Sequence, residues 1–215
     1  MGQCRQCFLR SQDSRSDRRS TSHTDKRLIA VQNDVDISTV ESQLAVYNKY
    51  ANNNFLFWSA FKQYYKDCFI GNNQSNYFYN QRHTMKYLFK ELKEKNRSYI
   101  NFKKFFMFFL IMRAKTYSNM AEMIFELYDE NGDDVLELHC LPKVIKFLYA
   151  ANGLYLNSKR AKWSTMTVVK NMDLHKEQNI YKDEFLREVS ISESFIDLRL
   201  HLLFCERRDE PISNK

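Results

Sequence analysis

The chain has 215 residues, of which 44% are hydrophobic and 15% aromatic, so it can bury a sizeable core and lacks the composition of a disordered protein. With only four glycines and two prolines, the sequence favours helices over a fold of many tight turns, and it contains no glycine-rich phosphate loop. The net charge of +7 includes a net +4 from residues 1–27, which carry seven Arg and Lys against three Asp, so the rest of the chain is close to balanced.

The basic N-terminal segment is predicted to be a disordered tail over residues 1–30, because Ser, Arg and Asp dominate it and helical apolar spacing is missing. Three of its residues are candidate lipidation sites: Gly2, Cys4 and Cys7. Gln6 stands where the myristoylation motif has Ser or Thr. Two acyl chains, or one chain with the basic segment, would hold the tail on an anionic membrane; the alternative is an unmodified basic tail.

Five cysteines, odd in number and mostly far apart, predict a reducing, cytoplasmic compartment without a disulfide framework. The longest purely apolar run, Phe105–Met112, has eight residues and is too short to span a bilayer. We therefore expect a soluble protein or one attached to a membrane through its tail. Because no basic stripe recurs in the body of the chain, no nucleic-acid partner is predicted.

The apolar run itself has two interpretations, since a helix that is apolar on nearly every face is buried on more than one side. It forms the core of the first half of the protein, or part of it lines a hydrophobic groove for an amphipathic partner helix. The residues assigned to that groove are Phe105, Phe108, Phe109 and Met112.

The segment Ile124–Leu141 carries the clearest motif in the chain. An apolar helix is predicted to end at Tyr128, and a second helix follows from Leu141. Between them, oxygen-bearing side chains occupy positions 1, 3, 5 and 9 of a short loop and a backbone carbonyl is available at position 7: Asp129, Asn131, Asp133, Glu137 and Val135. Oxygen ligands at this spacing suit a calcium ion, which takes about six to eight of them at a tight turn.

This third loop (residues 129–140) resembles the EF-hand loop, and its flanking residues resemble the recoverin-like and calcineurin B-like families. Two positions depart from the motif: the sixth is Asp134 in place of Gly, and the twelfth is Cys140 in place of a bidentate Glu. Aspartate tolerates a positive φ, so the turn survives. The missing Glu predicts weak calcium binding, with a dissociation constant of about 10⁻⁴–10⁻³ M. The alternative is a vestigial loop whose shape is kept by Asx-type hydrogen bonds.

A second copy begins 44 residues later and forms the fourth loop, 173–184. Its candidate ligands are Asp173, Glu177, Asn179 and Glu184. His175 at the third position and Gln178 at the sixth remove one oxygen ligand and the turn glycine. His139, Cys140 and His175 are softer ligands, but without CxxC or HxxxH spacing they indicate sequence drift rather than a zinc site.

The same template, applied to the first half of the chain, identifies a first loop at Lys49–Ala60 and a second at Lys93–Lys104. The first has no acidic residue, and the second has cations where carboxylates are required, so neither is expected to bind calcium. The position-eight residues should pair between loops, as two short antiparallel contacts: Leu56 with Ile100, and Leu136 with Ile180.

We therefore predict an all-α protein of four EF-hand units in two lobes, with short two-stranded pairing between loops. The lobes span residues 31–117 and 118–205, and a flexible tail follows at 206–215. The resemblance implies a non-enzymatic calcium-sensor-like regulatory protein that binds a protein partner, with weak or vestigial calcium binding. The alternative is a calcium-independent adaptor or structural subunit. No nucleophile–base constellation is suggested by spacing, so no catalytic residue is predicted.

Overall fold

The computed structural model describes residues 23–70, 78–93, 96–129, 131–172, 179–191 and 195. Several predicted features lie outside these ranges, so their predictions are untested: residues 1–22 of the N-terminal tail with the three lipidation candidates, the C-terminal tail, and the fourth-loop residues Asp173, His175 and Glu177. Residues 23–30, which the sequence places in the disordered tail, are instead helical, and Ile29 and Ala30 are buried.

The described chain is mostly helical, as the sequence predicts. The helices are α1 His23–Gln32, α2 Ile37–Tyr50, α3 Trp58–Tyr65, α4 Phe78–Leu92, α5 Phe102–Met112, α6 Tyr117–Tyr128, α7 Leu141–Ala151, α8 Ser158–Asn171 and α9 Lys182–Ile191. A π-helical turn, Lys66–Ile70, extends α3, and a 3₁₀ turn, Leu138–Cys140, precedes α7. The strands are β1 Leu56–Phe57, β2 Tyr99–Ile100, β3 Val135–Glu137 and β4 Asn179–Tyr181.

The strands form two small antiparallel sheets. In the first, Leu56 lies opposite Ile100, and in the second, Leu136 lies opposite Ile180. These are the pairings that the sequence predicts, and both are confirmed. All four side chains are buried, with exposures of 2% or less, so each sheet closes an apolar seam between two loops.

The chain divides into two compact units. The first comprises Met1–Leu110 and Glu130–Gly132, and the second comprises Ile111–Asp129 and Asp133–Lys215. The main division thus follows Leu110, whereas the sequence places the lobe boundary at residue 117.

The core of the first unit is largely aromatic. Phe61 of α3 and Phe108 of α5 are fully buried, with their ring centroids 5.6 Å apart. Phe105 lies one turn before Phe108 and contacts two tyrosines. Its ring centroid lies 5.2 Å from that of Tyr47 and 4.9 Å from that of Tyr64. Tilted and edge-to-face rings at these separations add to the stabilisation that comes from burial of apolar area. The ring contacts thus join α2, α3 and α5 in one aromatic core.

In the second unit, apolar residues at helical spacing on α6, α7 and α9 form the core. Phe125 of α6 lies 5.5 Å from Phe185 of α9, and both are fully buried. The side chain of Thr116 caps α6 by accepting a hydrogen bond from the backbone N–H of Asn119 (3.1 Å). No helix of the described ranges is long and apolar enough to cross a membrane.

Candidate functional site

The third loop begins where α6 ends. The Asp129 side chain is buried, with 1% exposure, and its Oδ2 accepts a hydrogen bond from the backbone N–H of Asp134 (3.0 Å). Asp134 has φ of +58°, so the aspartate at the sixth loop position adopts the left-handed conformation, as the sequence analysis expects. Asp129 thus organises the turn, because its carboxylate satisfies the N–H that this turn directs inward.

A second hydrogen bond supports the same turn. Oδ1 of Asp133 accepts from the backbone N–H of Val135 at 3.1 Å, which is an Asx-type arrangement. These two hydrogen bonds shape the third loop, and this geometry is common to both predicted interpretations of the loop.

The side chain at the ninth position of the third loop, Glu137, lies at the surface. Oε2 of Glu137 lies 2.9 Å from Nδ1 of His139, and both side chains are largely exposed. Nε2 of His139 lies 3.6 Å from Sγ of Cys140, the residue at the twelfth position. In this arrangement the Glu137 carboxylate contacts a histidine on the surface, in contrast to the buried carboxylate of Asp129.

The paired strand brings one fourth-loop candidate close to the third loop, because Asn179 lies opposite Glu137 in the second sheet. Glu184 lies in the first turn of α9 and is partly exposed. Within the described residues, no group of three or more His, Cys, Asp or Glu side chains is arranged to hold a metal ion. The predicted calcium ligands therefore remain a prediction.

A lysine-centred cluster that the sequence does not predict lies beside this loop. Nζ of Lys182, at the start of α9, lies 2.8 Å from Oε1 of Glu126 and 3.1 Å from Oε1 of Glu122 on α6. The same Nζ lies 3.6 Å from Oδ1 of Asp134, and the Lys182 backbone N–H donates to the Asp134 carbonyl at 3.0 Å. The two glutamates are four residues apart on one helix face, which is the only local signal of the cluster.

Electrostatics keep this lysine charged. Burial by itself lowers the pKa of Lys182, but hydrogen bonds to Glu126 and Glu122 and the charges of both glutamates outweigh burial, so the pKa is raised above its ordinary value. The ammonium group therefore joins α6, α9 and the turn of the third loop through charge-assisted contacts.

In the first unit, a buried tyrosine links the first and second loops. The first loop turns tightly at Asn53 and Asn54, whose φ values are +51° and +65°. The hydroxyl oxygen of Tyr47 lies 2.9 Å from the carbonyl oxygens of both Asn54 and Ile100. Its single O–H is therefore shared between the two acceptors. Since Tyr47 is 1% exposed, this contact is shielded from water and fixes the first loop against β2.

The second loop contains its own cation. Nζ of Lys93, at the first loop position, donates a hydrogen bond to the carbonyl of Arg97 at 3.0 Å. At the ninth position, Oδ1 of Asn101 accepts from the N–H of Lys104 at 2.9 Å and thereby caps α5. The Lys93 ammonium thus donates to a carbonyl of its own loop.

The predicted groove residues divide into two pairs. Phe105 and Phe108 are 1% and 0% exposed and belong to the core of the first unit, which is the alternative interpretation that the sequence leaves open. Phe109 and Met112 are partly exposed. A groove that includes Phe105 and Phe108 would therefore require α5 to separate from its neighbours in that unit, and it remains a prediction.

Comparison with protein-family models finds no match, and comparison with curated proteins finds no significant match. The functional assignment consequently rests on the fold and on the geometry of the loops.

Proposed function

We propose that the chain is a divergent EF-hand regulatory protein with two paired hands in each unit. The observation that carries this proposal is the repeated order of helix, loop, short strand and helix, with position-eight residues opposite each other in both sheets. The four repeats are α2–β1–α3, α4–β2–α5, α6–β3–α7 and α8–β4–α9. Pairing of Leu56 with Ile100 and of Leu136 with Ile180 follows from the predicted loop frame, and a helical bundle of another type does not require it.

Calcium binding belongs to the second unit in this proposal. The third loop offers the Asp129 and Asp133 carboxylates and the Val135 carbonyl near one turn, whereas the twelfth-position glutamate is missing. Reduced ligand number and charge lead to a dissociation constant of about 10⁻⁴–10⁻³ M. Ion binding would bias the unit towards an open helix pair, whose hydrophobic groove binds an amphipathic helix of a partner protein.

A calcium titration tests this proposal through the two tryptophans, one in each unit. Trp163 lies on α8 and Trp58 on α3, so a Trp58→Phe variant reports on the second unit alone and a Trp163→Phe variant on the first. We expect Trp163 emission to change at about 10⁻⁴–10⁻³ M calcium and Trp58 emission to stay constant. The control combines Asp129→Ala with Asp173→Ala, which should abolish the response. An unchanged Trp163 signal, or the same response in the control, would contradict the proposal.

A second candidate function is a calcium-independent EF-hand adaptor that binds its partner constitutively. Three contacts made by the protein favour it: the Tyr47 hydroxyl, the Lys93 ammonium and the Lys182 cluster stabilise loop regions through groups of the chain itself. The two functions differ in how an apolar-surface dye responds to calcium. A sensor increases the fluorescence of the dye when calcium is added, and an adaptor gives equal fluorescence with calcium and with a chelator.

The proposed setting is the cytoplasm, with the N-terminal tail as a membrane contact. Gly2, Cys4 and Cys7 would carry the acyl groups. Mass spectrometry of the native N-terminus tests this part, since an unmodified Gly2 with free Cys4 and Cys7 would exclude it.

A further inference from the structure

Helix α8 has an exposed face that combines cations with two large apolar side chains. Its residues recur at helical spacing, so they project to one side: Lys159, Lys162, Trp163, Met166 and Lys170. Trp163 is 66% exposed and Met166 is 62% exposed, and all three lysines are also exposed. We refer to these five residues as the α8 face.

The opposite side of the helix fixes this orientation. Ala161, Ser164 and Val168 are buried at 1%, 3% and 0% exposure, so α8 is anchored in the second unit with the α8 face outward. Rotation of the helix to hide Trp163 would expose Val168 and bring lysines into the core, which is strongly unfavourable. Exposure of Trp163 and Met166 is therefore imposed by the packing of the helix.

The charge on this helix is entirely positive. Besides the three lysines of the α8 face, Arg160 is exposed, and the sequence of α8 contains no Asp or Glu. Within the described part of the chain, no carboxylate forms an ion pair with any of these four cations. A further cation stands at the start of the helix, where Nζ of Lys146 lies 3.5 Å from Oγ of Ser158. The outward side of α8 is thus a positively charged surface around an apolar pair.

We propose that the α8 face docks on an anionic phospholipid membrane, with the helix lying parallel to the bilayer surface. Tryptophan prefers the boundary between headgroups and acyl chains, because its ring is apolar and its N–H is polar. Lysines beside it can bury their methylene stems while the ammonium groups reach lipid phosphates. The inference goes beyond the proposed function and depends on neither calcium binding nor acylation of the tail.

The shape of the surface favours a membrane over an acidic protein partner. A peptide helix is usually bound in a groove between helices, whereas the α8 face is the outward side of a single helix. A membrane surface matches such a face, since the apolar pair inserts shallowly and the surrounding lysines remain at headgroup level.

The test uses the unacylated full-length chain carrying Trp58→Phe, so that Trp163 is the single tryptophan. Vesicles of phosphatidylcholine alone are compared with vesicles containing about 30% phosphatidylserine. We expect sedimentation with the anionic vesicles only, a blue shift of Trp163 emission, quenching by lipids brominated near the headgroup, and loss of binding at high salt. Because the tail has no tryptophan, its own binding does not produce the blue shift.

A charge variant with a matched control, and a variant of Met166, complete the experiment. The triple variant Lys159→Gln/Lys162→Gln/Lys170→Gln should weaken vesicle binding about 100-fold, since each lysine near an anionic surface contributes about fivefold. The control Lys86→Gln/Lys90→Gln/Lys115→Gln removes the same charge from exposed positions elsewhere and should retain binding within about threefold. Met166→Ser should reduce the blue shift, and circular dichroism should show that all variants are folded.

Three results would overturn the proposal. Absence of sedimentation with anionic vesicles excludes the membrane contact, and sedimentation without a change in Trp163 emission assigns the contact to another part of the chain. A blue shift with an acidic peptide such as polyglutamate, but not with vesicles, would assign the α8 face to a protein partner.

Discussion

Asp134 illustrates how a single side chain can replace a glycine at a turn. Its φ of +58° lies in the left-handed region, which is unfavourable for most residues and less so for aspartate and asparagine. The first loop uses the same solution at Asn54, with φ of +65°. The backbone N–H of Asp134 is held by buried Asp129, so the conformation is stabilised by a hydrogen bond as well as tolerated by residue type.

Tyr47 is the residue whose contribution to the first unit is most directly measurable. Replacement by phenylalanine keeps the ring contacts with Phe102 and Phe105 and removes the hydroxyl between two carbonyl oxygens. Because a buried hydrogen bond is lost and its acceptors are left with fewer partners, Tyr47→Phe should lower the free energy of unfolding by about 1–2 kcal/mol.

Urea denaturation followed by circular dichroism measures this change. Tyr181→Phe is the matched control, since Tyr181 is 53% exposed, and its unfolding free energy should stay within about 0.5 kcal/mol of the original. Equal stability of the two variants would exclude the proposed role of the Tyr47 hydroxyl.

At the scale of elements, Lys182 connects helices that are distant in sequence. It lies between Glu122 and Glu126 of α6 and begins α9, so the α6–α9 contact combines the Phe125–Phe185 core with a charged cluster at its edge. Glu126 is only 18% exposed at its side chain, and removal of its counter-charge would leave a poorly solvated carboxylate.

Lys182→Met should therefore destabilise the second unit by about 1–2 kcal/mol, although methionine retains most of the apolar stem. Thermal or chemical denaturation provides the measurement, and Lys86→Met, at an exposed position on α4, provides the control, with an expected change within about 0.5 kcal/mol. Adding Glu126→Gln to Lys182→Met should recover part of the loss, because the uncompensated charge is then removed. A Lys182→Met protein as stable as the control would show that the cluster contributes nothing.

At the scale of the whole molecule, alkaline pH is expected to weaken the fold. Burial raises the pKa of Tyr65 to about 12, compared with 10.0 for an exposed phenol. The native state therefore retains a proton that the unfolded chain has lost, so stability is complete below pH 10 and falls as pH rises towards 12. The raised pKa of Lys182 acts in the same direction at the upper end of this range.

As pH rises from 9 to 11, the Tyr65 phenol loses its proton in the unfolded chain but keeps it in the native state. This difference should lower the free energy of unfolding by about 1 kcal/mol. Denaturation curves at these two pH values measure the change, and Tyr65→Phe should have a smaller difference between them. A pH dependence that is identical in the original chain and in Tyr65→Phe would contradict this assignment.

Local spacing was sufficient to predict the loop frame and its pairings. An aliphatic residue at the eighth position of each loop has to be buried, and burial on one side of a two-stranded contact sets the register, so Leu136 and Ile180 were identifiable from sequence. The tolerance of aspartate at position 134 and the Asx-type bond of Asp133 are also local, because each depends on residue type and on neighbours within five positions.

What the sequence by itself determined is therefore the helical class, the loop positions and the pairing of Leu56 with Ile100 and Leu136 with Ile180. Only the tertiary structure decided which polar groups meet across the fold. Tyr47 contacts a carbonyl 53 positions away, and Lys182 contacts a glutamate 56 positions away. The outward side of α8 was likewise decided by packing, since its spacing defines two faces but does not say which is buried. Periodic burial leaves a local pattern in the sequence, whereas a contact between single distant side chains leaves none.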